Sequence, residues 1–143
     1  MNVKWIIAII FMLILTVMDI RKKEISVLLL LIFGATVVFY VAVKGEREAL
    51  SVIYSLIPGA FLLALSLCTR ESIGYGDGWT MLVLGLLLGL WECLAVVFVG
   101  LVFSAIFSLV LLVLSRVNGK TRLPFLPFVS MGLGVVIIVQ GIC

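Results

Sequence analysis

Few side chains in this 143-residue chain are equipped for chemistry. There is no histidine, and the three cysteines, Cys68, Cys93 and Cys143, stand far apart in apolar sequence. They form no CxxC and no Cys/His cluster, so they read as free thiols packed among helices, and neither zinc nor haem is expected. Seven acidic residues remain. Glu24, Glu46, Glu48 and Glu71 lie beside Lys or Arg, the ordinary setting of a solvated loop charge. Asp19 and Asp77 differ. Asp19 closes an apolar run, directly after Thr16-Val17-Met18 and before Arg21-Lys22-Lys23. A helix dipole opposes a carboxylate at the helix C-terminus, so local propensity does not put Asp19 there. The alternative is an interfacial aspartate paired with Arg21 or Lys22. Asp77 stands in Gly74-Tyr75-Gly76-Asp77-Gly78. Three glycines in five residues cost backbone entropy and pack little surface. Such a segment suits the close approach of an extended peptide or a second helix. The alternative is a plain turn with Asp77 as N-cap.

Two carboxylates held together in a partly desolvated site cannot both ionise easily, so the pair shares a proton. One then takes a proton from water while the other protonates a carbonyl oxygen. Peptide hydrolysis by that route needs no metal, no cofactor and no covalent intermediate. It requires elements that bring Asp19 and Asp77 to the same depth.

Those elements are membrane helices. The chain is 65% hydrophobic and 12% charged, with a mean hydropathy of +1.44. A water-soluble domain is nearer half apolar and a quarter charged. The same figures exclude a disordered chain, a fibrous repeat and a nucleic-acid-binding domain, and the net charge of +3 is too scattered to mean an acidic partner. Apart from Lys4 and Glu92, the charges fall in four clusters, at 19–24, 44–48, 70–77 and 116–122. Apolar stretches run between them, and about 20 helical residues cross a bilayer. Residues 78–115 number 38, which as one helix would extend about 57 Å against a core of about 30 Å. A tight hairpin near Leu90–Glu92, after a short helix, resolves this and lets Glu92 reach the interface. Six transmembrane helices result, and the expected fold is all-α, polytopic and a single domain over residues 1–143.

Six spans put Arg21, Lys22, Lys23, Arg70, Arg116, Lys120 and Arg122 on one side, and Lys4, Lys44 and Arg47 on the other. By the positive-inside rule both termini lie outside and the seven-cation side is cytoplasmic. Five spans would give four against six, a weaker bias. The first apolar run precedes its positive charges and is followed by no small-x-small site, so it reads as a retained helix rather than a cleaved signal. Asp19 leaves the membrane on the cytoplasmic side and Asp77 enters from it. Neither was used in choosing the topology.

At this point the residues resemble a known family. Gly74-Tyr75-Gly76-Asp77 is similar to the GxGD signature of intramembrane aspartyl proteases. Asp19-Ile20-Arg21 looks like the first aspartate motif of the type IV prepilin peptidases. Leu123-Pro124-Phe125-Leu126-Pro127-Phe128 with Gly132 resembles the PFxPF…G stretch that opens their last helix. The resemblance implies an endopeptidase of a prokaryotic plasma membrane, with Asp19 and Asp77 catalytic at the cytoplasmic face. Its substrate would be a prepilin or pseudopilin, losing a basic leader after a glycine just before its apolar helix. It further implies a minimal form, in which this chain cleaves without N-methylation. Gly74 and Gly76 would admit the substrate backbone in extended form, and the bilayer and the substrate's own helix would be the partners. The family pattern has a lysine where Trp79 stands, and Ile-Pro-Asn where this chain reads Ile25-Ser26-Val27. Arg21, Lys22 or Arg70 are candidates for the missing positive charge.

Other features have plainer readings. Pro124 and Pro127 suit the first turn of a helix, where no N–H is lost, or else shape a wall of a substrate groove. Pro58-Gly59 should kink the third span. Gly85 and Gly89 form a small-xxx-small face, and Trp5, Trp79 and Trp91 fall near interfaces, where indoles anchor. A rival function uses the same acids: a small transporter or proton-relay subunit with Asp19 and Asp77 lining a wet path.

Overall fold

A computed structural model of the chain describes residues 2–22, 26–45, 47–68, 75–114 and 125–142, and their regular structure is helical throughout. Seven segments follow in order: α1 (Val3–Lys22), α2 (Val27–Lys44), α3 (Ala49–Ser55), α4 (Ile57–Cys68), α5 (Tyr75–Leu88), α6 (Leu90–Val113) and α7 (Leu126–Ile142). Four stretches are long and apolar enough to cross a membrane: Val3–Lys22, Val27–Lys44, Ala49–Cys68 and Leu90–Val113. The helices α5 and α7 are apolar but shorter, at 14 and 17 residues.

Local chemistry sets the ends. Gly45 closes α2 in the left-handed conformation, φ 58°, returning its N–H to the Val41 carbonyl. Leu56 separates α3 from α4 just ahead of Pro58, whose ring and missing N–H disfavour a continuous helix; this is the expected kink. The expected hairpin falls at a single residue, Gly89, with φ 101°. That conformation suits glycine far better than any residue with a side chain. Gly85 and Gly89 therefore do not share one packing role. Gly85 presses on the Ser55 carbonyl, and Gly89 makes the turn.

The centre of the bundle is α5, packed against α1, α2, α3, α4 and α6. It buries Asp77, Gly78, Thr80, Met81, Leu84, Gly85, Leu87 and Leu88, more than a single face. By contrast α1 buries one stripe, Trp5, Ala8, Met12, Leu15, Thr16 and Asp19, at helical spacing. The outlying α2 buries only Phe33 and Val37, with Phe33 stacked on Phe11 at 4.5 Å. Small residues allow the closest contacts, as expected where lipid removes the hydrophobic drive between helices. Gly59 meets the backbone of Leu82, and Gly132 meets the Val96 carbonyl and Gly100.

The end of the bundle where α5 finishes is held by polar contacts. Lys4 Nζ donates to both oxygens of Glu92, at 2.9 and 2.8 Å, and lies 5.2 Å from the centre of the Trp5 ring. Lys4 and Glu92, isolated in sequence, thus meet because α1 and α6 both begin at this end. Trp5 differs from the expected interfacial anchor: it is turned into the core, 6% exposed, whereas Trp91 is 81% exposed.

Arg47 reaches the last turn of α5. Its Nη1 donates to the Leu86 carbonyl at 2.9 Å, and its Nη2 to those of Leu87 and Leu88 at 3.1 and 3.0 Å. These carbonyls are among the four that every helix C-terminus leaves without a partner. The planar fork of a guanidinium serves several acceptors at once, which an ammonium does not. Arg47→Met is therefore expected to destabilise the protein by about 1.5–3 kcal/mol, the range for losing hydrogen bonds to a charged group. Arg47→Lys should recover only part of that. Thermal unfolding in detergent, followed by loss of the monodisperse peak, measures both.

Candidate active site

Asp19 lies in the last turn of α1 and Asp77 in the first turn of α5. The two helices pack together, and because they run in opposite directions these turns fall at the same end. Each aspartate is 9% exposed, and the charge of Asp19 acts directly on Asp77. Two carboxylates from distant parts of the chain are thus held within electrostatic reach and largely out of bulk water. Asp77 is the third residue of its helix. It sits inside the first turn, where the dipole favours a negative side chain, rather than acting as an N-cap.

The third element is α7, which also packs on α1. The backbone N–H of Leu126, its first residue, donates to the Asp19 carboxylate. A helix N-terminus has N–H groups to spare. Asp19 thus accepts from the start of α7 what its own helix end could not supply. Pro127 fits beside it, since a proline in the first turn removes no helical hydrogen bond. Its carbonyl accepts from Ser130 Oγ at 2.7 Å. The Phe125 carbonyl accepts the N–H of Phe128 and of Val129 and so closes the turn, while its side chain packs on the core.

Other candidates fall differently. Arg21 is exposed and makes no ion pair among the described residues, and neither does Lys22, so the expected alternative of an Asp19–Arg21 or Asp19–Lys22 pair is not found. Gly74 and Pro124 lie outside the described residues. Gly76 is half-buried, and its carbonyl accepts from Thr80 Oγ1 at 2.8 Å. With Tyr75, Trp79 and Val83 it lines one wall of an apolar groove of ≈ 770 Å³. Val27, Leu30, Leu31, Gly34 and Ala35 of the α2 segment line the other wall. Gly78 lets α4 approach, for a Cβ there would lie 2.7 Å from Leu63 Cδ2. Among the described residues, no three His, Cys, Asp or Glu side chains gather into a set that would hold a metal ion.

Residue-by-residue reading of the sequence did not foresee two groups here. One is the Leu126 N–H, although the last helix was already placed on the side of Asp19. The other is Thr16, three residues before Asp19 on the same buried stripe. The signal was present: Thr16 is the one hydroxyl in the charge-free run 5–18.

A profile of the type IV leader peptidase family matches residues 6–109. The chain belongs to that family. Searches of curated proteins and of solved structures each found no match. The matched region contains both Asp19 and Gly74-Tyr75-Gly76-Asp77, and ends before Phe125 and Pro127. Family and apolar helices together make this leader peptidase a multi-pass membrane protein.

Proposed function

We propose that this leader peptidase is an aspartyl endopeptidase with six spans, both termini outside, and its active site at the cytoplasmic face of a prokaryotic plasma membrane. The observation that carries this reading is that Asp19 and Asp77 are both buried at the same end of two packed helices, α1 and α5, within electrostatic reach of each other. One carboxylate takes a proton from a water as its oxygen attacks the scissile carbonyl carbon. The other protonates the carbonyl oxygen, and proton return to the amide nitrogen lets the C–N bond break. Prepilin or pseudopilin chains fit as substrates, their basic leader remaining in the cytoplasm beside the carboxylates. The substrate's apolar helix packs laterally in the groove between α2 and α5, which reaches Gly76, the neighbour of Asp77. Against a proton relay stand the buried positions beyond Thr16 and Thr80: Trp5, Ala8, Met12 and Leu15 in α1, and Met81, Leu84, Gly85, Leu87 and Leu88 in α5, all apolar.

Leader cleavage of candidate prepilins in proteoliposomes tests the proposal, with the cut located by mass spectrometry. Asp19→Asn and Asp77→Asn, matched for folding and insertion, should each lower kcat by about a thousandfold or more. A near-wild-type rate in either variant would sink the carboxylate pair. A wild type that cuts no chain with a basic leader and one apolar helix would favour the relay.

A further inference from the structure

Among the described residues, two side-chain polar atoms are buried without a hydrogen-bond partner: Thr16 Oγ1 and Asp19 Oδ2. They belong to residues three apart on one buried stripe of α1, so their side chains are neighbours on a single face. Thr16 is only 9% exposed. A helical threonine ordinarily satisfies its hydroxyl on the carbonyl four residues back. The other two described threonines do so: Thr36 Oγ1 donates to the Ile32 carbonyl and Thr80 Oγ1 to that of Gly76, each at 2.8 Å. Thr16 alone among the described threonines leaves that bond unmade. A buried hydroxyl that forgoes an available partner is costly to keep, and this one sits one turn from a carboxylate oxygen in the same condition.

We infer that Thr16 and Asp19 together seat the attacking water. A water accepting from the Thr16 hydroxyl and donating to Asp19 Oδ2 satisfies both atoms at once, as buried waters do for otherwise unpartnered groups. Its second lone pair stays free for the carbonyl carbon. The Leu126 N–H occupies part of the same carboxylate, which fixes its orientation. In the hydrolytic step the water oxygen forms the bond to carbon, one of its protons passes to the carboxylate pair, and the Thr16 hydroxyl keeps its own proton throughout. Thr16 is thus a positioning group for the nucleophile and takes no part in proton transfer.

The inference rests on the aspartyl-peptidase reading, and the variants separate the two. Thr16→Val keeps the shape and removes the hydroxyl, Thr16→Ser keeps the hydroxyl, and Thr16→Ala guards against a poorly packed valine. Cleavage kinetics of a prepilin in proteoliposomes should show kcat lowered about 10- to 100-fold for Val and Ala, with KM within twofold. Ser should hold at least a third of wild-type kcat. Thermal unfolding supplies a second sign: Thr16→Val should leave the Tm close to that of the wild type, because the hydroxyl bonds only to a water and no protein group loses its partner with it. A Val variant with kcat within twofold of wild type overturns the inference. So does a Val variant with a lowered Tm, which would make the hydroxyl structural, or a Ser variant as impaired as Ala. If Asp19→Asn or Asp77→Asn cuts normally, the carboxylate reading falls first. If both are dead while Thr16→Val is fully active, only the water seat is lost.

Discussion

Replacing Asp19 and Asp77 by asparagine together is expected to lower kcat no further than replacing either alone. General acid–base groups contribute about 10²- to 10⁴-fold each, so two independent carboxylates would multiply their losses. Here they are buried at the same end of the bundle, and the charge of one acts on the other. A pair that divides one proton works as a unit, and the first asparagine already removes the division of labour between base and acid. With a single-variant loss of about a thousandfold, equivalent to about 4 kcal/mol at about 1.4 kcal/mol per decade, the coupling in a double-mutant cycle should be nearly as large as that loss. Four proteins and one cleavage assay measure it, on samples matched for Tm. Additive losses would mean that the two residues act separately, whatever their placement.

The second large effect concerns packing. Gly59→Ala and Gly85→Ala should destabilise at or beyond the upper end of the range of about 1–3 kcal/mol for overpacking. A Cβ on Gly59 would fall on the backbone of Leu82, and one on Gly85 on the Ser55 carbonyl. Backbone inside a helix cannot swing aside as the tip of a side chain can. Both contacts hold α5, so loss of activity should accompany loss of fold. Gly134 and Gly141 provide the control. Nothing lies within 4 Å of a Cβ at either, so alanine there should be neutral, or stabilising by up to about 1 kcal/mol from helix propensity. Thermal unfolding of the four variants decides it. Equal Tm values across both pairs would show that the close approaches do not constrain the bundle.

The extent of the helices along the chain was legible in the sequence, while rotation about each helix axis was not. Charged clusters bounded the apolar runs, so the helical stretches, with Asp19 at the end of one and Asp77 at the start of another, followed from counting. Position around the axis needs a contrast between buried and outward faces. In α2 that contrast vanishes: buried Phe33 and Val37 are no more apolar than exposed Leu31 or Phe39. Hence the inward Trp5, the pairing of Lys4 with Glu92 and the fit of Gly85 against Ser55 all required the fold. The Leu126 N–H on Asp19 escaped for a related reason, since any helix start offers such a donor and only packing selects its acceptor.

The brevity of α5 bears on where the reaction can take place. Its 14 residues extend about 21 Å, well short of a hydrocarbon layer about 30 Å thick. Arg47 caps one end of this short rod and Asp77 lies in the first turn of the other. The helices around it are longer, 20, 18 and 24 residues for α1, α2 and α6, and these outer helices are the ones whose length lipid must match. A short rod enclosed by longer ones does not oblige the bilayer to thin. On the proposed reading the first turn of α5 would lie between the ends of its neighbours, and water would reach the carboxylates through the protein, so turnover would depend little on acyl-chain length.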